Sequence, residues 1–235
     1  MKFTRFLCLI CALLFSALSW AQNPYTSVLV KYYDQSESPK IIADRLSTVT
    51  VRSASTHKLF VAWKALYDGL FDQDQIGEML KMSNNQMAQE IYTKFGGAQA
   101  LRKFLTTTIG LPVTRTNFSV VDGSGLSHSN KSTCDLQIKL LENIYESALY
   151  DTYKNLLAQP AQRGTLESRL GEYEGSLFAK TGTLAKTSAL TGFVEMPKGT
   201  VMFCIISENF NRTWPQERAR IDDLLRSYLK EAEKL

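Results

Sequence analysis

Three short motifs hold residue types suited to acyl transfer. Ser55-Thr56-His57-Lys58 sets a hydroxyl and an amine three residues apart at the start of a helical pattern, one turn apart on one face. A lysine withdrawn from water holds its proton less firmly and can take that of the serine, making a nucleophile without histidine. The helix N-terminus adds partial positive charge where an oxyanion would develop. Ser83-Asn84-Asn85 offers a second hydroxyl, suited to relay a proton to a leaving amine, and Asn85 to fix the lysine and a peptide backbone. Lys180-Thr181-Gly182 lies in the β-rich stretch LFAKTGT. There Lys180 and Thr181 can bind a carboxylate, and Gly182 lets a ligand lie close to the backbone. The N–H of Thr183 can join that of Ser55 as an oxyanion donor.

Each motif alone is weak. Ser227-Tyr228-Leu229-Lys230 repeats the first spacing on a helix face, and Ser207-Glu208-Asn209 repeats the second. A Ser-Asn pair also bends or caps helices, and a lone lysine beside a glycine in a strand is most simply a solvated side chain. The motifs gain meaning from their order and from the elements that carry them. Val28–Tyr33 and the turn Ser36–Lys40 predict an opening hairpin. Ser55–Leu70 has helical periodicity, with Leu59, Ala62, Trp63 and Leu66 on one face and Gly69 near its end. Asp74–Phe95 predicts a second helix bent at Ser83–Asn85, and Ala98–Ile109 a third. Phe118–Gly125 predicts a short strand running into a Gly-rich turn, followed by helices over Asp135–Tyr150 and about Thr152–Ala158. Leu177–Thr183, Ser188–Glu195 and Thr200–Ser207 predict antiparallel strands, with Pro197-Lys198-Gly199 as a tight turn. Trp214–Leu235 closes the chain as an amphipathic helix with Ile221, Leu224, Leu225, Tyr228 and Leu229 apolar. The expected fold class is α+β, one antiparallel sheet flanked by helices.

Composition narrows the setting. The 235 residues are 44% hydrophobic and 21% charged, which suits a globular domain. Met1–Ala21 predicts a secretory signal peptide, with Lys2 and Arg5 before the apolar stretch Phe6–Leu18 and small residues at Ser19 and Ala21. Removing its two cations lowers the net charge from +4 to +2, too little to suggest nucleic-acid binding. The expected mature chain, residues 22–235, is a single domain with no transmembrane anchor. With two His, four Cys and no zinc-ligand spacing, no metal is expected, and no cofactor. Cys134 and Cys204 remain after cleavage, equally open to pairing or to burial as free thiols.

The set SxxK, SxN and KTG, in that order, is the signature of penicillin-binding proteins and class A β-lactamases. Around it, SASTHKLF with its lead-in VLVKYYDQSESPKIIADRLSTVTV, MLKMSNNQMAQEIY, VVDGSGLSHSN, RGTLESRL and FAKTGTLAKTSALTGFVE resemble consecutive blocks of one group. That group is the D-alanyl-D-alanine carboxypeptidase/endopeptidase family, the class C low-molecular-mass penicillin-binding proteins. The resemblance runs from about Ser27 to Leu229 and implies a β-lactamase/transpeptidase-like fold. It further implies an acyl-enzyme on Ser55 with Lys58 as base, Ser83 and Asn85 as proton relay and positioning group, and Lys180, Thr181, Gly182 and Thr183 as the substrate-binding strand. The implied partners are peptidoglycan stem peptides ending in D-Ala-D-Ala, with β-lactams as covalent inhibitors. The implied location is the periplasm or another exported site in a bacterial envelope. Two departures stand out. Only the short stretch Leu59–Met82 separates the first two motifs, where the family carries a large insertion, so the chain reads as a bare catalytic domain. His128 stands where the family tends to have a basic residue. A β-lactamase and a non-catalytic peptidoglycan- or β-lactam-binding module are the alternatives. The former needs a deacylating carboxylate, for which the nearest Glu-Asn pairing, Glu142-Asn143, has the wrong spacing.

Overall fold

A computed structural model describes residues 24–34 and 38–235. The expected signal peptide lies outside them, as do Ser36 and Glu37 of the expected turn Ser36–Lys40. Strands β1 (Tyr25–Asp34), β2 (Lys40–Arg45), β5 (Leu177–Leu184), β6 (Thr187–Met196) and β7 (Gly199–Glu208) form one antiparallel sheet in the order β2-β1-β7-β6-β5. The N-terminal hairpin and the last three strands thus share a sheet, as the sequence implies. A separate two-residue pair joins β3 (Val51–Arg52) to β4 (Lys131–Ser132).

Strand alternation sorts side chains between two cores. Leu29, Met202, Cys204 and Ile206 join one cluster under the helices of the middle of the chain, while Val28, Val30, Val201, Phe203 and Ile205 join another. The second is closed by Ile221, Leu225 and Leu229 of the last helix, α7 (Trp214–Ala232). The first is closed by α1 (Lys58–Asp68), α2 (Gln73–Lys81), α3 (Asn85–Lys94), α4 (Gly97–Lys103) and α5 (Cys134–Tyr145). The short α6 (Tyr150–Asn155) buries Tyr153 against them. Gly69 ends α1 in the left-handed region at φ 64°, where a side chain would be strained. Among the described residues, no helix is long and apolar enough to cross a membrane.

The expected second helix is two, α2 and α3, because Ser83 between them has φ 56° and Asn84 caps α3 by accepting from Met87 N at 3.0 Å. The expected third helix stops at Lys103 and widens into a single π turn, Phe104–Thr108. The helix from Asp135 stops at Tyr145 rather than Tyr150. Phe118–Gly125 forms no strand beyond one bridge, Ser119 to Lys131. Its backbone is held by side chains instead: the N–H groups of Val121 and Asp122 donate to Asn130 Oδ1. Cys134 on α5 and Cys204 on β7 face each other fully buried, as thiols with Sγ atoms 2.6 Å apart.

Candidate active site

Ser55 sits in a single 3-10 turn, Ala54–His57, that leads into α1. The turn is clamped from two sides. Ala54 has φ 47°, an unfavourable conformation for a residue with a Cβ. A Cβ added at Gly125 would fall 2.0 Å from the Ala54 carbonyl oxygen, so only glycine lets that loop close over the turn. On the other side, a Cβ at Gly182 of β5 would lie 3.3 Å from Ser55 N and 3.2 Å from Ala54 Cβ. The KTG glycine therefore brings the strand against the serine.

Lys58 is fully buried, and its Nζ donates to Ser55 Oγ at 3.0 Å, Asn85 Oδ1 at 2.8 Å and the Ser124 carbonyl at 2.5 Å. Burial lowers its pKa to about 8, against an opposing pull from Asp122. Asp122 orders the loop that supplies the third acceptor. Its carboxylate accepts from Ser124 Oγ and Gly125 N, both at 2.7 Å, and from Ser127 N at 2.9 Å. Burial alone would raise the Asp122 pKa, but these hydrogen bonds together outweigh it and hold the carboxyl below its usual range.

Behind the turn, Gln137 of α5 donates to Thr56 Oγ1 at 3.0 Å and Ser132 Oγ at 2.8 Å, and accepts from Thr191 Oγ1 of β6 at 2.8 Å. It thereby ties the Ser55 turn to the sheet. His57 points the other way, stacked on Phe118 at 5.7 Å, with neither ring nitrogen hydrogen-bonded among the described residues. Burial lowers its pKa to about 4, so it stands neutral.

β5 is an edge strand. Ala179 exchanges hydrogen bonds with Ala158 on the free side, at 3.2 and 2.9 Å. By the two-residue repeat, Thr181 and Thr183 also turn their backbone groups away from β6, toward Ser55. Lys180 is fully buried beneath the strand and donates to the Thr181 carbonyl at 2.9 Å. Burial, and secondly the charge of Lys58, hold its pKa well below the usual lysine value.

These elements enclose a cavity of about 320 Å³ lined by Ser55, Ser83, Asn85, Leu126, Thr165, Arg169, Thr181, Thr183 and Arg218. Of the residues singled out in the sequence, Ser55, Lys58 and Asn85 are joined by hydrogen bonds, and Ser83, Thr181 and Thr183 line the same cavity. Ser83 Oγ has no hydrogen-bond partner among the described residues, and Lys180 lies below the cavity rather than in its wall. Glu142 is remote, bound to Lys31 and Tyr33. The sequence reading missed the Ser124 carbonyl, Gln137, Arg169 and Arg218. The DGSG turn and the RGTLESRL block marked the first and third. Arg218, one turn before Ile221 on an otherwise apolar stripe, was a break in pattern.

An edge strand laid against a helix-borne Ser-Lys pair, with a single antiparallel sheet between helical layers, defines the β-lactamase/transpeptidase-like fold. The extended-spectrum β-lactamase TLA-3 superposes with a TM-score of 0.71 at 14% identity, over 92% of this chain and 97% of that one. A predatory endopeptidase of Bdellovibrio bacteriovorus, acylated with penicillin G, superposes with a TM-score of 0.59 at 23% identity, over 67% of this chain and 45% of that one. The chain belongs to the D-Ala-D-Ala carboxypeptidase 3 (S13) family, whose model matches residues 72–228. It is 31% identical over 152 residues to a D-alanyl-D-alanine carboxypeptidase of Actinomadura sp. (strain R39). That match takes in 62% of this chain but only 28% of the longer relative.

Proposed function

We propose that the protein is an exported serine-type D-alanyl-D-alanine carboxypeptidase/endopeptidase, one domain over residues 22–235, that hydrolyses peptidoglycan stem peptides. The observation that carries this reading is the 3.0 Å contact from Lys58 Nζ to Ser55 Oγ, made by an amine whose pKa burial brings to about 8. Near neutral pH a fraction of such lysine is uncharged and able to accept the serine proton.

Ser55 Oγ attacks the carbonyl of the penultimate D-Ala as its proton passes to Lys58. The N–H groups of Ser55 and Thr183 hold the oxyanion, one at the mouth of a helix and one on the free edge of β5. The intermediate collapses to an ester on Ser55 as the leaving amine takes a proton relayed from Lys58 through Ser83, with Asn85 positioning the peptide. Water hydrolyses the ester, releasing the peptide acid. Thr181 and Thr183 hold the substrate carboxylate, and Gly182 lets the peptide lie along β5 as an added strand. Lys180, from beneath, braces the Thr181 carbonyl. β-Lactams acylate Ser55 by the same attack.

A β-lactamase is the second reading, favoured by the near-complete overlap with TLA-3. Against it, the residues lining the cavity include no carboxylate to activate a deacylating water. Intact-protein mass after brief exposure to benzylpenicillin separates the readings. A one-penicillin adduct, absent in Ser55→Ala and slow to decay, is the expected result. Rapid loss of the adduct would favour the β-lactamase, and no adduct on folded protein would overturn both.

A further inference from the structure

The cavity is lined by the threonines Thr165, Thr181 and Thr183 and by two arginines, Arg169 and Arg218. Phe178 belongs to the core under the middle helices and Ala179 to the core under α7. Alternation therefore turns the side chains of Thr181 and Thr183 to the α7 side. Thr181 is 9% exposed, and its hydroxyl, like that of Thr183, has no partner among the described residues. Thr165 also lines the cavity, with its unpartnered Oγ1 buried behind the surface.

Two guanidinium groups complete this wall, and they differ. Arg169 is committed to Asp222 of α7 through two hydrogen bonds, at 3.1 and 2.6 Å. Its neighbours on α7 are similarly engaged: Arg220 pairs with Glu217 at 2.5 Å, and Arg226 with Asp223 at 2.8 Å. Arg218 is exposed at the cavity and has neither a hydrogen bond nor an ion pair among the described residues. Lys180 is buried below and occupied with the Thr181 carbonyl, so it does not carry its charge into the cavity. A free cation beside two unpartnered hydroxyls, in a wall without carboxylates, suits a carboxylate ligand with one oxygen on the threonines and the other on the guanidinium.

We propose that Arg218 binds the α-carboxylate of the leaving D-residue, and the ring carboxylate of a β-lactam, opposite Thr181 and Thr183. This rests on the reading of the cavity as a D-Ala-D-Ala site and adds the residue that makes it select a free acid over an amide or ester. Because Arg218 is exposed, its charge is not a folding requirement, and truncating it leaves the core untouched.

The test compares benzylpenicillin with its methyl ester on wild type, Arg218→Ala and Arg218→Lys, following the Ser55 adduct by mass. Arg218→Ala should slow acylation by the acid about tenfold, the effect of one partly solvated charge-assisted hydrogen bond, and leave the ester within about twofold. Arg218→Lys should recover most of the loss. An equal fall for acid and ester, or no fall for either, overturns the assignment. A second arm uses the Ser55→Ala background and the binding of a peptide ending in D-Ala-D-Ala against its C-terminal amide. There Arg218→Ala should erase a preference for the acid, and unchanged preference overturns the role of Arg218. Failure of wild type to form any adduct, with the acid preference intact in the second arm, would instead overturn the catalytic reading and keep Arg218 as a carboxylate-binding residue.

Discussion

Along β7, Val201, Phe203 and Ile205 turn to α7, while Met202, Cys204 and Ile206 turn to the middle helices. The two faces are cut from the same strands, yet what covers them differs. Under α7 the buried cluster is aliphatic and aromatic, and the buried carboxylates Glu217 and Asp222 are each paired with an arginine, Arg220 and Arg169. Under the middle helices the apolar core is interrupted at one end by fully buried Lys58, Lys180, His57, Gln137 and Thr191. Buried cations and unpaired ring nitrogens cost stability, so that end, which carries the candidate site, is assembled at the expense of the fold. On the α7 face the fully buried carboxylate, Glu217, is paired with Arg220 at 2.5 Å, so its burial is largely compensated. Substitutions on the two faces should therefore separate activity from stability.

The largest separation is expected at Lys58. Lys58→Ala should lower the rate of Ser55 acylation by on the order of a thousandfold, as loss of a positioned base does. In the wild type the acylation rate should rise with pH and level off above about 8, because only the uncharged amine accepts the serine proton. The residual rate of Lys58→Ala should lack that inflection. A wild-type profile flat between pH 6 and 9 would remove Lys58 from the role of base.

Leu225 is its counterpart on the other face, fully buried among Ile221, Leu229 and the β7 side chains. Leu225→Ala should cost about 2–5 kcal/mol by emptying part of that core. In thermal unfolding this is a fall of roughly 5–15 °C for a chain of this size. The acylation rate per folded molecule at a temperature well below unfolding should stay unchanged. A fall in that rate comparable to the loss at Lys58 would mean that the two faces are not separable.

The α7 face was readable in advance because periodicity alone builds it: Ile221, Leu225 and Leu229 at helical spacing, and alternation along β7. The candidate site was readable where it gathers side chains from short motifs, namely Ser55, Lys58, Asn85 and the KTG strand. What escaped is what contact across the chain creates. The Ser124 carbonyl is a backbone atom whose position depends on Asp122 and on Gly125 closing over Ala54. Gln137 looks like any residue of an amphipathic helix until α5 is laid across Thr56 and Thr191. Lys180 was expected to reach a carboxylate directly, and alternation instead puts it under the strand. The false strand at Phe118–Gly125 has the same origin, since its β-rich residues find their hydrogen bonds on the side chain of Asn130.

His57 offers the smallest and sharpest contrast between the faces. It is wholly buried beside Phe118 and Phe60, and the charged groups that act on it are Asp122 and Lys58. In the unfolded chain it binds a proton below its ordinary value of 6.5, whereas in the folded chain burial holds it neutral down to about 4, against the pull of Asp122 and with a smaller push from Lys58. Between those values the unfolded state binds more protons, so stability rises with pH and is lost as pH falls from 6.5 toward 4. Over pH 6.5 to 5 the loss from this residue should be about 2 kcal/mol. Lys58 titrates above that window, and Asp122 below its usual range, so neither contributes to the slope there. His57→Phe keeps an aromatic ring among aromatic neighbours and removes the titration. Denaturant unfolding at pH 6.5 and 5 should show a smaller drop for His57→Phe than for wild type. Equal drops would mean that the folded protein accepts a proton at His57 at its ordinary pKa, by opening the Ser55 turn to water, and would place the weak point of the fold at the end that carries the candidate site.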